Sequence, residues 1–532
     1  MLVKTGLLIV SNPKQIGNVL GSIQKQVKST LYIQLLSALS EPLGSFIPKK
    51  CNVWPKFSPT IHGIYSQVAR YCSGLDVRVL LSGLKYNISK IHTQKPIDLI
   101  ILDKTYPRSE IDNFISTRID NVTKEYKVMT LDTEHIEDLE VDTLFADKKY
   151  KHTVLGGTFD RLHLAHKLLL SEAALRATNT VTVGVTEENM LLNKLLWEFI
   201  EDIDVRVKNV KDFLVDICPE LEYNIVPISD PFGPAITDPT MELIVVSQET
   251  LKGGEKINSI RKEKNLSLLD ILPVELVDEP NPKPIEETKI SSSTTRIRLL
   301  GTVLQPIETN HNIPKLPYVI GLTGGIASGK SGIASNLQKL GAKIINCDLI
   351  GHSVYKKGKP CHGKIVEVFG EKVLSSDGEI DRKVLGGIVF KNKEDLNKLN
   401  SLVWPAIARE VQDIIKNSNE KVIVVEAAVL LMANWQNLCH EVSYRNKSTF
   451  DSIEHYLLQI WTTIVPREEA ISRLIHRNGL TQEEATNRID SQPPNKVYVK
   501  SSHVVFCTVW PVEYTKEQVV KAWNLLSGRM PS

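Results

Sequence analysis

The chain reads as an α/β protein of parallel sheets, arranged in more than one domain. Three observations predict this. Short apolar runs alternate with helix-like stretches, the pattern of parallel strands joined by right-handed crossovers. Two glycine turns, Gly156-Gly157 and Gly324-Gly325, each follow a strand-like run and lead into a helix-like one. A length of 532 residues exceeds one ordinary domain.

Taken in order, residues 1–149 form a first α/β region. Met1 to Val10 is a short apolar patch ending at Ser11-Asn12-Pro13, better read as a buried strand than as a signal peptide. Leu31–Leu36, Val77–Leu81 and Ile97–Leu102 are further strand-like runs. No catalytic constellation stands among them, so a structural or regulatory role, or a surface for protein partners, is expected. Residues 150–304 form a second domain, with strands at Thr153-Val154-Leu155, Val181–Val185, Ile225–Ile228 and Leu243–Val246 and a turn-rich break at Asp278–Pro284. Residues 305–317 read as a Pro-containing linker. Residues 318–532 form a third domain, with strands at Tyr318–Leu322, Ala342–Ile345, Val422–Val425, Trp461–Val465 and Val504–Cys507.

Composition sets limits. Apolar residues make up 42% and charged residues 24%, enough for every domain to build a core. The net charge of +2 demands neither nucleic acid nor an anionic membrane. No apolar run is long enough to span a bilayer. Seven scattered cysteines, Cys51, Cys72, Cys218, Cys347, Cys361, Cys439 and Cys507, contain no Cys-x-x-Cys pair, which argues for a reducing compartment and against a disulfide scaffold or zinc site. Lys4, Lys14, Lys25 and Lys28 precede the first acid, Glu41, as in a transit peptide, but the arginines usual there are absent. The expected location is the cytoplasm, with mitochondrial association as the alternative.

The first chemical run is Gly156-Gly157-Thr158-Phe159-Asp160-Arg161-Leu162-His163-Leu164-Ala165-His166. Two glycines after a strand let the backbone approach a ligand closely. The helix that follows turns its free N–H groups toward that spot, a place that attracts phosphate. His163 and His166 are three apart and share a helix face, so two imidazoles stand beside a triphosphate. A plain turn with surface histidines is the bland alternative.

These residues resemble the nucleotidyltransferase superfamily whose signature is His-x-Gly-His, here His163-Leu164-Ala165-His166 with Ala165 in place of glycine. The superfamily's second signature, Ile-Ser-Ser-x-x-x-Arg, stands here as Ile290-Ser291-Ser292-Ser293-Thr294-Thr295-Arg296. Ser229–Pro234 and Val246–Gly254 are similar to the phosphopantetheine adenylyltransferases of eukaryotes. The resemblance implies a Rossmann-like domain that transfers adenylyl from ATP to 4′-phosphopantetheine, giving dephospho-coenzyme A and pyrophosphate. It assigns His166 to the charge on the α-phosphate. It assigns Gly157, Thr158, Phe159, His163, Lys194, Ser292, Ser293 and Arg296 to ATP. Positioning and charge stabilisation would carry the rate, with Mg²⁺ neutralising the leaving pyrophosphate.

The second run, Gly324-Gly325-Ile326-Ala327-Ser328-Gly329-Lys330-Ser331, fits Gly-x4-Gly-Lys-Ser between a strand and a helix. Amides of Gly324, Gly325, Ala327, Ser328 and Gly329 would cradle phosphates, Lys330 would reach the β- and γ-phosphates, and Ser331 would help hold Mg²⁺. Asp348, after the second strand of this domain, either deprotonates a sugar hydroxyl or caps a helix. Arg473 and Arg477 are four apart and suit a lid on ATP phosphates, or else a solvated helix face; Arg488 follows them.

With Gly378–Arg382, Trp404-Pro405 ahead of a helix, and Arg488–Gln492, this part resembles the dephospho-coenzyme A kinases. The order of the two parts is similar to that in the bifunctional coenzyme A synthases of animals. That resemblance implies ATP, 4′-phosphopantetheine and dephospho-coenzyme A as ligands, and coenzyme A as the final product. It covers roughly Lys151 to the C-terminus. Three positions depart from the kinase pattern: Asn346 before Cys347-Asp348, Trp404 before Pro405, and Glu426 where Asp is usual. Ser443–Ile460 interrupts the pattern and is expected to be a surface insertion or translated intron sequence. The rival readings are another nucleotidyltransferase–kinase fusion, a scaffold with a weakened kinase site, and a P-loop GTPase or transport ATPase.

Overall fold

In a computed structural model, the apolar runs form three five-stranded sheets in which every neighbouring pair of strands is parallel. The structure describes residues 2–10, 16–35, 57–86, 88–131, 148–307, 316–389, 392–433, 435 and 459–530. Ser11-Asn12-Pro13, Lys14, Glu41, Cys51, Cys439, residues 308–315 of the expected linker and residues 443–458 of the expected insertion lie outside them. Two compact units divide the chain, Met1–Thr295 and Arg296–Ser532. No helix among the described residues is long and apolar enough to cross a membrane.

The first sheet is built from β1 (Val3–Val10), α1 (Ile16–Gln24), β2 (Val27–Leu35), α2 (Phe57–Tyr71), β3 (Asp76–Val79), α3 (Ser82–Lys85), β4 (Ile97–Leu102), α4 (Arg108–Arg118) and β5 (Val122–Thr130). Its strand order is β3-β2-β1-β4-β5. Central β1 is buried along its last six residues, as a parallel strand covered on both faces must be. Edge strand β5 carries Lys124, Glu125 and Lys127, charges that blunt an open edge.

The second sheet follows: β6 (Tyr150–Gly157), α5 (Leu164–Arg176), β7 (Ala177–Thr186), α6 (Ile203–Ile217), β8 (Glu222–Ile228), β9 (Leu243–Ser247), α7 (Leu251–Glu263), β10 (Asp270–Val274) and then α8 (Ser292–Leu299). Its order, β10-β9-β6-β7-β8, repeats the scheme of the first sheet. In both, the first strand is central, the next two lie to one side and the last two to the other. The two sheets share one apolar core, in which Leu31, Tyr65 and Val79 belong to the same buried cluster as Leu168, Phe213 and Ile217.

The third sheet comprises β11 (Tyr318–Gly324), α9 (Lys330–Lys339), β12 (Lys343–Asn346), α10 (Cys347–Ser353), α11 (Pro360–Phe369), α12 (Arg382–Val389), α13 (Lys393–Lys416), β13 (Val422–Glu426), β14 (Gln459–Ile464), α14 (Arg467–Asn478), α15 (Gln482–Asp490), α16 (Asn495–Lys500), β15 (Val504–Cys507) and α17 (Val512–Ser527). Its order is β12-β13-β11-β14-β15, so the second strand lies outside the third. Residues just after α8 join this unit: Gly301 N donates to Val505 O at 3.0 Å and Leu304 N to His503 O at 2.8 Å. Gly301, at φ 70°, lies so close to α17 that an added Cβ would meet Gln518 O at 2.3 Å.

Two expectations need correction. Trp404-Pro405 does not precede a helix, because Pro405 lies inside the 24-residue α13. Proline costs one ladder hydrogen bond there, while Val403, Trp404 and Ala406 pack against buried apolar clusters. The expected insertion is also shorter at its end. Gln459 and Ile460 belong to β14, paired with Ile320 and Gly321. Gln459 is held there by its side chain, which donates to Tyr318 Oη at 2.8 Å and accepts from Trp461 Nε1 at 2.6 Å.

Candidate active sites

Strand β6 ends in Gly156-Gly157, and α5 starts after a turn in which Phe159 and Arg161 hold positive φ values of 50° and 45°. Such conformations cost energy for residues with a Cβ and persist where the surroundings enforce them. Here the enforcement is visible. Asp160 is fully buried, and its Oδ1 accepts from Glu201 N at 3.1 Å and from Arg161 Nη1 at 3.0 Å. Arg206 of α6 donates through Nη1 to Thr158 O at 2.8 Å and through Nε to Glu201 O at 2.8 Å. Burial pulls the Arg206 guanidinium below its ordinary pKa, against the pull of Asp160, Glu201 and Asp202.

The histidines meet, although His163 is the extended N-cap of α5 and not, as its spacing suggested, a residue on the helix face. Their rings stack with centroids 3.7 Å apart and planes 20° apart, and Phe159 packs on His166 at 5.1 Å. The second signature arrives at the same place. His163 Nε2 and Ser292 Oγ are 3.2 Å apart, and Ser292 Oγ donates to Asp160 O at 3.3 Å. Ser291 Oγ accepts from Thr294 N at 3.2 Å and so caps α8. Ser293 follows in the first turn of α8, and buried Arg296 lies one turn further along it. Lys194 sits on an exposed stretch between β7 and α6.

Sequence reading missed two members of this site. Asp160 stood inside the motif, three residues after the second glycine, and that place was the available signal. Arg206 had none, being 48 residues from the carbonyl it holds.

In the second unit, the turn after β11 is made by backbone conformations. Gly324, Ala327 and Gly329 have φ of 144°, 59° and 91°. Lys330 Nζ donates to Gly324 O at 2.9 Å and Gly325 O at 3.0 Å. Burial lowers its pKa, opposed by Asp348 and Glu426 and assisted by Arg477. Gln492 Oε1 accepts from Ile326 N at 2.7 Å, which gives the Arg488–Gln492 stretch a place at the loop. Arg473 fastens the loop: Nη1 donates to Ala327 O at 3.2 Å and Thr508 Oγ1 at 2.7 Å, and Nη2 to Thr508 O at 2.6 Å. In turn, Thr508 Oγ1 donates to Ser328 O at 2.9 Å. Arg477, one turn on, is exposed.

Glu426 ends β13 beneath the loop and is buried. Its two carboxylate oxygens accept from Ser331 Oγ and Asn346 Nδ2, each at 3.0 Å. A serine hydroxyl and a carboxylate form a hard-oxygen donor pair suited to Mg²⁺. Asn346, not Asp348, caps α10, accepting from Leu349 N at 3.0 Å. Asp348 is exposed in the first turn of α10. Sequence reading noted Glu426 only as a departure; its position at a strand's C-terminal end was the signal for the crevice.

Comparison with known proteins separates the two parts. Residues 154–299 match the family described as cytidylyltransferase-like. Residues 318–446 match the family described as dephospho-CoA kinase. A dephospho-CoA kinase of Carboxydothermus hydrogenoformans is 38% identical over 205 residues, covering 38% of this chain and 91% of the relative. One of Bacillus thuringiensis is 36% identical over 214 residues, covering 40% of this chain and the whole relative. One of Aquifex aeolicus is 33% identical over 208 residues, covering 39% and 97%. These relatives are bacterial.

Proposed function

Because the chain belongs, through its C-terminal part, to the dephospho-CoA kinase family, we propose that it makes coenzyme A in two steps, as the animal bifunctional synthases do. One observation carries this reading: a nucleotidyl-transfer site precedes, in the same chain, a kinase whose acceptor a nucleotidyl transfer can supply. In the first step, the phosphate of 4′-phosphopantetheine attacks the α-phosphorus of ATP and pyrophosphate leaves. His166 stabilises charge on the α-phosphate, and His163, Ser292 and the amides of the first turn of α5 hold the phosphate oxygens. In the second step, Asp348 takes the proton of the ribose 3′-hydroxyl as its oxygen attacks the γ-phosphorus of a second ATP, the bond from that phosphorus to the bridging oxygen breaks, and ADP leaves. The loop amides and Lys330 hold the β- and γ-phosphates. Mg²⁺, bound by Ser331 and Glu426, would neutralise phosphate charge.

The test is a product assay with 4′-phosphopantetheine, ATP and Mg²⁺ that resolves pyrophosphate, dephospho-coenzyme A and coenzyme A. Wild type is expected to yield coenzyme A. His166→Ala should stop the first product, and Lys330→Ala should halt at dephospho-coenzyme A. A wild type that phosphorylates supplied dephospho-coenzyme A yet never forms it would refute the first step alone.

A further inference from the structure

The first sheet holds none of the residues assigned to either site, yet three of its elements grip the helix that carries His166. At the front of α5, Lys167 reaches into the first sheet, where its Nζ donates to Asp76 Oδ1 at 2.6 Å and to Val77 O at 3.0 Å. In the middle, Glu172 Oε1 accepts from Ser58 Oγ of α2 at 2.6 Å. At the back, Lys85 of α3 donates to the carbonyls of Ala174 and Ala177. A second set of contacts reaches α6, the helix of Arg206. Its Asp216 accepts from Tyr32 Oη at 2.6 Å and from Arg78 Nη1 at 2.7 Å, and Leu81 N donates to Ile217 O at 2.8 Å.

These contacts are stiff for a physical reason. The Lys167 side chain is only 5% exposed, and a buried ammonium is tolerated only when paired and hydrogen-bonded. Asp76 is itself fixed by Arg78 at 2.9 Å and Lys95 at 3.2 Å. Burial works against its charge, but Lys167 and Arg78 outweigh that and hold the carboxyl well below the usual carboxylate range. Charge-assisted bonds of this length constrain direction as well as distance. Lys167 is the residue after His166, so whatever fixes one fixes the turn that aims the other.

We propose that the first sheet is a positioning domain for the adenylyl-transfer site, with Asp76 and Lys167 as the pair that sets where the first turn of α5 points His166. The proposal rests on the adenylyl-transfer reading. Asp76 and Lys167 act through α5, since the Lys167 ammonium ends on the first sheet.

The test uses the full chain with 4′-phosphopantetheine, ATP and Mg²⁺. Lys167→Met removes the ammonium and leaves Asp76 its partners Arg78 and Lys95. The kcat of dephospho-coenzyme A formation should fall about 30- to 100-fold, the scale of an ångström of misplacement, with both KM values within about threefold. Phosphorylation of added dephospho-coenzyme A by the same molecules should stay at the wild-type rate, which calibrates the enzyme concentration, and an unchanged near-ultraviolet circular dichroism spectrum controls for folding of the unit that holds Lys167. Lys167→Arg, which keeps the charge, should restore most of the kcat. Wild-type kcat in Lys167→Met, or a loss confined to KM, overturns the positioning role. A wild type that makes no dephospho-coenzyme A sinks the underlying reading and the proposal with it. If Lys167→Met does not fold, Ser58→Ala decides: a lower kcat at unchanged KM supports positioning, and an unchanged kcat overturns it.

Discussion

At Gly324-Gly325 the turn is written in the backbone: Gly324, Ala327 and Gly329 all carry positive φ, and an added Cβ on Gly324 would meet Thr463 O at 2.2 Å. Gly156 and Gly157 are ordinary strand residues, paired with Gly184 and Val185, and the positive φ values come later, on Phe159 and Arg161. The second turn therefore carries its shape in its own backbone, and Arg473, Gln492 and Thr508 then tie it from outside. The first is held by side chains from far along the chain, among them Arg206, Ser292 and, through α5, Asp76. A glycine turn can carry its shape in its own backbone or take it from its surroundings, and one chain holds both kinds.

Gly324 separates the two turns most sharply. Gly324→Ala places a methyl group against a strand carbonyl and demands a conformation that alanine rarely adopts. Kinase turnover should fall at least about 1,000-fold, a loss of the size seen when a set of phosphate-holding donors is displaced, while dephospho-coenzyme A formation persists. Next comes Glu426→Gln, which keeps the shape and removes the charge beneath Ser331. Kinase turnover should fall about 100-fold, and the Mg²⁺ concentration for half-maximal rate should rise, because a hard cation loses its anionic ligand. Unchanged Mg²⁺ dependence would remove Glu426 from the metal site.

Gly157→Ala should do far less at the first site. The added Cβ would stand 3.1 Å from the Phe159 ring, a side chain that can give, and no positive φ is imposed. A fall in first-step kcat within about tenfold is expected from so small a displacement, and a larger one would show that this turn too is locally specified.

The smallest effect concerns stability alone. Burial pushes the Lys85 ammonium down to about 8, from about 10.4 in an unfolded chain. Between those values the unfolded lysine holds a proton that the folded one has lost, so its contribution to stability rises with pH. The stability of wild type relative to Lys85→Met should therefore increase by about 1–3 kcal/mol from pH 8 to pH 10.4, measured by urea unfolding. A flat difference would mean that Lys85 stays charged where it meets α5.

The same contrast explains what could be read without a structure. The glycine-lysine loop was legible because its residues are contiguous and two of its glycines, Gly324 and Gly329, carry positive φ values that the turn needs. The strands at Thr153-Val154-Leu155 and Tyr318–Leu322 were legible from apolar runs bounded by glycine. That His163 and His166 lie side by side was legible, but not that His163 stands at the N-cap and stacks on its neighbour. Strand order was not legible, since the repeat of one scheme in two sheets leaves no mark in local sequence. Nor was the grip on α5. Lys167 and Glu172 look like members of a solvated face, and only the first sheet, about 90 residues away for Lys167, makes them interior. The kink-tolerant α13 hid its Pro405 for a similar reason: packing outweighs a local helix-breaking signal.

The division between the compact units falls inside α8, whose serines precede it and whose Arg296 follows. The residues after α8 then bond to β15 through Gly301 and Leu304, and Lys521 of α17 donates to Arg298 O at 2.7 Å. A gene fragment opened at residue 318 would discard those partners and bare one side of β15, while one opened before 296 would take the second signature away from the first site. The cytidylyltransferase-like and kinase parts thus resist separation by scissors. Alleles that silence one and spare the other have to be single-codon changes, and a truncation that abolishes both steps says nothing about how either works.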